Sequence, residues 1–317
     1  MLRIFKKFTT GWYTIYMSIK RVGILRGGNR EHYEKSLQIG GELILHIHEN
    51  LADKWKPVDI LVDRDGVWHV GGLPIKPVEL INKVDVVWNT SHPNFSVILK
   101  SLAIPNIGVD SFPFLLSENR SILQDHMKEI GVKMPRHFVI PAYQEDFDGE
   151  KGKFILKKAR EVHEKFSPPW VIKSLTNDFD IGVHIAKTYS ELIDAIEDIV
   201  NHDKSILVEE LIFGKDISMH SLSGFRGQDI YNLPAIDSFS TLEKEKLNEI
   251  SKNIHKHLNI SNYLNSNFVL HPKRGVFLKQ IEFFPDLKKD SHFEQASVYV
   301  GSSPKQIIDH ILESVLE

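Results

Sequence analysis

The chain has 317 residues, 42% of them hydrophobic and 26% charged, and a formal net charge of -3. That length is more than one ordinary core and suits two or three domains, while the charge excludes a general nucleic-acid binder, which would carry a strong basic excess. The absence of cysteine excludes disulfides, thiolate chemistry and cysteine zinc sites and fits a reducing, cytoplasmic setting, and no apolar run reaches the roughly 18 residues of a spanning helix.

Residues 1–20 carry Arg3, Lys6, Lys7 and Lys20 and no acid. Ile4, Phe8, Trp12 and Ile15 recur at helical spacing. Two readings stand: a basic amphipathic segment in weak contact with a membrane surface, or an N-terminal extension, disordered or packed on a partner. The segment lacks the unbroken apolar core of a signal peptide.

From Arg21 the pattern is α/β. Val22 to Leu25 is a short apolar strand, Gly27-Gly28-Asn29 a turn, and Glu31 to Glu49 a helix with a stripe at Leu37, Ile44 and His48. Val58 to Val62 and Val84 to Trp88 are further strands, Phe95 to Leu102 a helix, and Ile104 to Val109 closes the unit. Strands alternating with helices imply a mostly parallel sheet. Ser117 is placed to cap a helix from Glu118 to Ile130, ended at Gly131. A strand from His137 to Ile140, a polar stretch from Tyr143 to Lys153 and a helix from Ile155 to Phe166 follow. Then come the strand Trp170 to Ser174, a returning strand Gly182 to Ala186, and a helix Glu191 to Val200 capped by Ser190. The last part holds strands at 205–210 and 217–222, a helix from Leu242 to Leu258 capped by Ser240 or Thr241, a hairpin of Tyr263 to Leu270 with Val276 to Phe284, and a terminal helix from Pro304.

Several patterns bear on chemistry. Gly23-x-x-x-Gly27-Gly28 follows a strand and opens a helix, but its spacing departs from the G-x-G-x-x-G of a dinucleotide fold. His46-x-His48 and His255-x-His257 lie on helices, where an i, i+2 pair points to different faces and makes a poor chelate. Lys173 ends a short apolar strand before a polar loop, where a lysine reaches phosphate oxygens as a point charge. Glu209 ends another such strand, and Gly214-Lys-Asp216 follows at a short fixed distance. A backbone linker beside a carboxylate suits an adenine amino group, and a nearby acid suits ribose hydroxyls. On the strand from Val276, Gln280 and Glu282 point one way among large apolar neighbours, which costs free energy unless they have partners. Together these residues read as a nucleotide and metal site.

In this order the motifs resemble those of the ATP-grasp superfamily, and within it the D-alanine–D-alanine ligases. The resemblance runs from about Arg21 onward. It is carried by Arg21-Val-Gly-Ile-Leu-Arg-Gly-Gly28, Ser36-Leu37, Ile104-Pro-Asn-Ile-Gly-Val-Asp110, Val171-Ile-Lys173, Ile206-Leu-Val-Glu209, Gly214-Lys-Asp216-Ile, and the segment Leu278 to Ser291. It implies a three-domain architecture of α/β and α+β lobes: an extension at 1–20, a parallel-sheet domain at 21–107, and lobes at 108–207 and 208–317 that clasp a nucleotide. It implies ATP and Mg2+ as cofactors, and a carboxylate activated as an acyl phosphate before an amine attacks. It also implies an amino-acid-like small-molecule substrate and a homodimer. Residue by residue, it places Lys173, Glu209, Asp216 and Arg120 at the nucleotide, Ser36 and Ser291 at the substrate, and Glu282, Gln280 and Asn267 at the metal.

The chain also departs from that pattern. The metal strand reads Gln280-x-Glu282 where the family has Glu-x-Asn, Asn267 stands for an aspartate, and Asn265 for a transition-state arginine. The second phosphate lysine falls at Asn119, beside Arg120. The phosphate loop, Leu175 to Gly182, carries Asp178, Phe179 and Asp180 where the family has small neutral residues, and a carboxylate some 4–6 Å from a phosphate repels it by roughly 1–4 kcal/mol. With one carboxylate in place of two, a hard cation is held less firmly. Two functions are therefore expected: an ATP-dependent carboxylate–amine ligase, or a catalytically degenerate homologue that binds or scaffolds.

Overall fold

The computed structural model describes residues 3–8, 11–16, 18–28, 32–175, 182–236 and 239–316. They form two compact units. The first comprises Met1–Glu118, Ser218–Ser266 and Ile281–Glu317; the second comprises Asn119–Ile217 and Asn267–Gln280. The segment expected to form one lobe from 208 is thus shared between the units.

The chain opens with two antiparallel strands, β1 (Arg3–Phe8) and β2 (Gly11–Tyr16), with Phe8 opposite Gly11. The helical spacing expected there is overturned. Both stretches are rich in aromatic and β-branched residues, which favour a pleated surface over a helix.

Next come β3 (Lys20–Gly27), α1 (Tyr33–Asn50), β4 (Trp55–Val62), β5 (Trp68–Val70), β6 (Leu73–Ile75), β7 (Val86–Asn89), α2 (Pro93–Ser101), β8 (Asn106–Ile107) and α3 (Ser111–Glu118). The sheet order is β6-β5-β4-β3-β7-β8. The run β4-β3-β7-β8 is parallel, as expected, and β5 and β6 add an antiparallel edge. Val22, Ile24 and Leu25 of β3 are fully buried, as in a central strand covered on both faces. The buried stripe of α1 is Ser36, Gly40, Leu43 and Ile47, which corrects the expected stripe; His48 is exposed. Gly40 explains the choice of face, because a Cβ there would lie 2.8 Å from Cβ of Arg26.

The second unit starts with α4 (Arg120–Glu129), β9 (His137–Ile140), α5 (Glu145–Asp148), α6 (Lys151–Lys165), β10 (Trp170–Ser174), β11 (His184–Ala186), α7 (Tyr189–Val200) and β12 (Ile206–Glu210). Its sheet is antiparallel, in the order β11-β10-β12-β9. Phe154, Ile155 and Val162 of α6 and Leu192, Ile196 and Ile199 of α7 cover one face over Trp170, Ile172, Ile206 and Val208. Two helix starts differ from expectation. Asn119 caps α4 by accepting from Ile122 N–H, while the Ser117 hydroxyl donates to the Phe114 carbonyl. Thr188 caps α7, accepting from Glu191 N–H, in place of Ser190.

The remaining elements are β13 (Lys215–Ser223), β14 (Ile230–Leu233), α8 (Thr241–His257), β15 (Tyr263–His271), β16 (Gly275–Glu282), α9 (His292–Tyr299) and α10 (Pro304–Glu313). The strands pair in the order β14-β13-β15-β16. Ser240 caps α8 in a capping box with Glu243, one of the two expected caps. No described helix is long and apolar enough to cross a membrane.

Candidate nucleotide and cation site

In the second unit, β10 and β12 pair with Val171 opposite Glu209 and Lys173 opposite Leu207. Lys173 and Glu209 are therefore diagonal neighbours on one face, within reach of a long side chain. Lys173 Nζ lies 3.1 Å from the Glu209 carboxylate. The first residue of α4, Arg120, brings its guanidinium onto the other carboxylate oxygen. Glu209 is only 7% exposed. Burial disfavours its charge, but Arg120 and Lys173 outweigh burial and hold its carboxyl below the usual carboxylate range.

The set continues through Arg120, whose Nη1 donates to the Lys279 carbonyl at 2.7 Å. The Lys279 ammonium is 2.7 Å from Asp216. The four residues expected at the nucleotide, Lys173, Glu209, Arg120 and Asp216, thus form one connected polar chain. It holds three cations, counting Lys279, and two carboxylates.

The sequence did not reveal the neighbours of this chain. His137 faces Glu209 in the β9–β12 register. Its Nε2 is 2.9 Å from the Ser121 hydroxyl, and burial, with the Arg120 charge, holds its pKa below the ordinary value. Glu210, the next residue of β12, bonds Arg136 at 3.0 Å and Arg274 at 2.6 Å. Opposite charge at Glu210 was signalled only by its basic partners, which lie far away in sequence.

The residues expected at the metal divide between the units. Gln280 and Asn267 belong to the second, Glu282 to the first. In the first unit, Asn265 Nδ2 donates to a Glu282 carboxylate oxygen at 3.0 Å. Asn265 is 8% exposed, and its Oδ1 is buried with no hydrogen-bond partner among the described residues. A buried acceptor without a donor is costly, and here it belongs to the residue bound to the one carboxylate of the expected metal set. Carboxylate and amide oxygens are the donors a hard cation takes.

Ser36 and Ser291 are both engaged in local structure. The Ser36 hydroxyl is buried, accepts from Gly27 N–H at 2.9 Å and lies 3.3 Å from Thr90 Oγ1. It braces the turn in which Gly27 and Gly28 adopt φ of +85° and +87°, a conformation open to glycine. Ser291 caps α9, accepting from Glu294 N–H and donating to the Asp286 carbonyl at 2.8 Å. Of the expected phosphate loop, Leu175 and Gly182 are described; Asp178, Phe179 and Asp180 lie outside the described residues.

One buried polar chain had no sequence signal. His220 Nδ1 is 2.7 Å from the Tyr263 hydroxyl and its Nε2 is 2.9 Å from His292 Nδ1. Burial, with the neighbouring His292, lowers the His220 pKa to about 3. A second such histidine, His255, lies 2.8 and 2.9 Å from the hydroxyls of Ser221 and Ser223, which accounts for half of the pair that spacing rejected as a chelate.

Comparison with known proteins bears on the fold. The family model described as D-ala D-ala ligase C-terminus matches residues 127–231. A D-alanine–D-alanine ligase of Oceanobacillus iheyensis is 22% identical, over 94% of this chain and 95% of the relative. Among solved structures, D-alanyl-alanine synthetase A from Vibrio cholerae aligns with a TM-score of 0.72 at 12% identity, covering 95% of this chain and 99% of that one. The Bacillus anthracis D-alanine–D-alanine ligase complexed with ATP aligns with a TM-score of 0.66 at 19% identity, covering 94% and 97%. The fold is that of these structures, and over most of its length the chain is similar to the D-alanine–D-alanine ligases of the ATP-grasp superfamily.

Proposed function

We propose that the chain is an ATP-dependent carboxylate–amine ligase that binds its nucleotide on the chain of residues from Lys173 to Asp216. The observation that carries this reading is the excess of cations there: Lys173, Arg120 and Lys279 against Glu209 and Asp216. A triphosphate brings the negative charge that this set lacks. In this reading Lys173 turns to the phosphates, Glu209 holds Lys173 and Arg120 in place, and Asp216 takes the ribose. Within the first unit, Glu282 and Asn265 Oδ1 are the oxygen donors that would hold a Mg2+ ion. Such an ion supplies neutralisation of the phosphate charge during transfer. Carboxylate activation as an acyl phosphate, and its capture by an amine, are the steps that the similarity to D-alanine–D-alanine ligases supports.

A second reading is a homologue that binds nucleotide and transfers nothing. It is favoured by the single carboxylate, Glu282, among the residues Glu282, Gln280 and Asn267. One experiment separates the two. Thermal shift with ATP, with and without Mg2+, reads binding, and phosphate release with amino-acid substrates reads turnover. The ligase reading expects a shift that grows with Mg2+, and phosphate release that depends on Lys173 and Glu282. Absence of any shift at millimolar ATP would falsify both readings; a shift without phosphate release for any amino-acid pair selects the second.

A further inference from the structure

In the second unit a cavity of about 680 Å3 lies where α4 and the loop after it meet the β15–β16 turn. Its volume is that of a small-molecule site, roughly 300–1,000 Å3. Four cations line it, Lys128, Lys133, Lys273 and Arg274, against one carboxylate, Asp125. That is a local charge of +3 (four minus one) on a chain whose formal net charge is -3. Cations gathered in one concavity repel one another and focus a positive field that draws in anions.

The lining is built rather than merely exposed. Phe277 is buried in its floor, with the Arg274 guanidinium 4.7 Å from the ring centroid and the Lys133 ammonium 5.8 Å. Lys133 Nζ also donates to the Arg274 carbonyl at 2.9 Å, and the Lys133 carbonyl accepts from Leu278 N–H at 2.8 Å. Arg274 is held from behind by Glu210 at 2.6 Å. Lys128 and Lys273 are exposed, and their side chains make no ion pair among the described residues. Two cations are thus fixed at the floor and two stand at the rim ready to close on a ligand. Val132 and Met134 complete a buried apolar wall.

We infer that this cavity is a binding site for a phosphate-bearing ligand, separate from the Lys173–Glu209 nucleotide cluster. Several convergent cations suit the multiple oxygens of a phosphate or pyrophosphate group, and the apolar floor suits an organic body attached to it. A free phosphate ester and a lipid headgroup share that chemistry.

The test uses the full chain and inorganic pyrophosphate, followed by calorimetry. Pyrophosphate also has access to the nucleotide cluster, so binding is measured in the Lys173→Ala background. There it persists, and the double reversal K128E/K273E weakens it at least tenfold. A control reversal at exposed sites on α6, K157E/R160E, changes net charge equally and leaves the affinity unchanged. Circular dichroism establishes that each variant is folded. Sedimentation with phosphatidylcholine vesicles, with and without phosphatidic acid, separates the sources: capture by the anionic vesicles that K128E/K273E abolishes assigns the site to a lipid phosphate, while pyrophosphate binding without capture assigns it to a free one. The proposal is overturned if neither pyrophosphate nor anionic vesicles bind the Lys173→Ala protein. It is equally overturned if the α6 reversal weakens binding as much as K128E/K273E does.

Discussion

Lys173 and Glu209 form a cross-strand ion pair, 3.1 Å apart, in which the acid is nearly buried and the lysine is 27% exposed. The pair is asymmetric. Glu209 also meets Arg120, whereas no second acid is found beside Lys173 among the described residues. Removing the acid therefore leaves two cations facing each other, one of them buried Arg120, and removing the lysine leaves a compensated Glu209–Arg120 pair. Glu209→Ala should lower stability by about 3–5 kcal/mol, the usual cost of stranding a buried charge. Lys173→Ala should cost about 1 kcal/mol or less, as for a partly exposed pair, yet abolish the ATP-induced thermal shift. Urea unfolding and thermal shift on both variants read these outcomes. Equal destabilisation by the two would remove the asymmetry, and an intact ATP shift in Lys173→Ala would remove the phosphate role.

The Asn265 amide donates to Glu282 and leaves its own oxygen buried and unpaired among the described residues. If that oxygen serves a cation, Asn265→Ala and Glu282→Gln should each weaken Mn2+ binding in the presence of ATP by at least tenfold, read by the paramagnetic signal of free Mn2+. Nucleotide binding without metal should be unchanged in both. Should Asn265→Ala bind Mn2+ as the parent does, the oxygen has no part in the site, and its burial stands as an unrelieved cost.

Gly214 shows why a short motif carried structural meaning. A Cβ at this position would lie 2.2 Å from the Leu270 carbonyl oxygen, within the second unit. The glycine thus lets the turn before β13 pass against the β15 backbone and brings Asp216 beside Lys279. Because backbone cannot swing aside as a side chain can, Gly214→Ala should cost about 1–3 kcal/mol. It should also weaken ATP binding through Asp216. Chemical denaturation and nucleotide titration of this one variant check both; a neutral substitution would mean that the strands separate freely here.

These cases mark what was legible in the chain and what was not. The parallel order around β3 followed from apolar runs alternating with helical stretches, because local pattern decides which strands are buried on both faces. Lys173 and Glu209 were readable as strand-end charges before a polar loop. Their mutual pairing was not, since it depends on register between strands 36 residues apart, and a one-residue slip would turn each side chain to the other face. Arg120 reaches the Lys279 carbonyl across 159 residues, a relation no local pattern contains. In α1, Leu37 and Ile44 look like core, while the buried face is chosen by Ser36 and Gly40, small residues that admit Arg26 and the Gly27 turn. For β1 and β2, apolar residues three and four apart also occur where most of a stretch is apolar, so spacing alone does not separate helix from strand.

Two buried histidines set a pH dependence that the sequence did not suggest. Burial lowers the pKa of His220 to about 3, with His292 adding to the effect, and lowers that of His255 to about 4. In the unfolded chain both titrate near about 6.5. Between those values the unfolded state binds protons that the native state does not, so native stability rises with pH. The contribution of these groups is complete above about 6.5 and is lost as pH falls toward 4, at about 1.4 kcal/mol per pH unit for each histidine. Glu209 acts in the same direction at lower pH: its carboxyl is held below the ordinary value, so its contribution is complete above the unfolded value of about 4.3 and is lost as pH falls through the folded one. Thermal unfolding from pH 7.5 down to pH 4.5 isolates the histidines from the acid. The slope of stability against pH should correspond to at least two protons, because burial also holds His46, His92 and His137 below the ordinary value, and His255→Gln, which keeps a polar group between Ser221 and Ser223, should reduce it by about one. The slope is the decisive quantity, because the variant also shifts absolute stability through packing. An unchanged slope in His255→Gln would mean that His255 takes its proton in the native state near its ordinary pKa, with the serine hydroxyls accepting from an imidazolium.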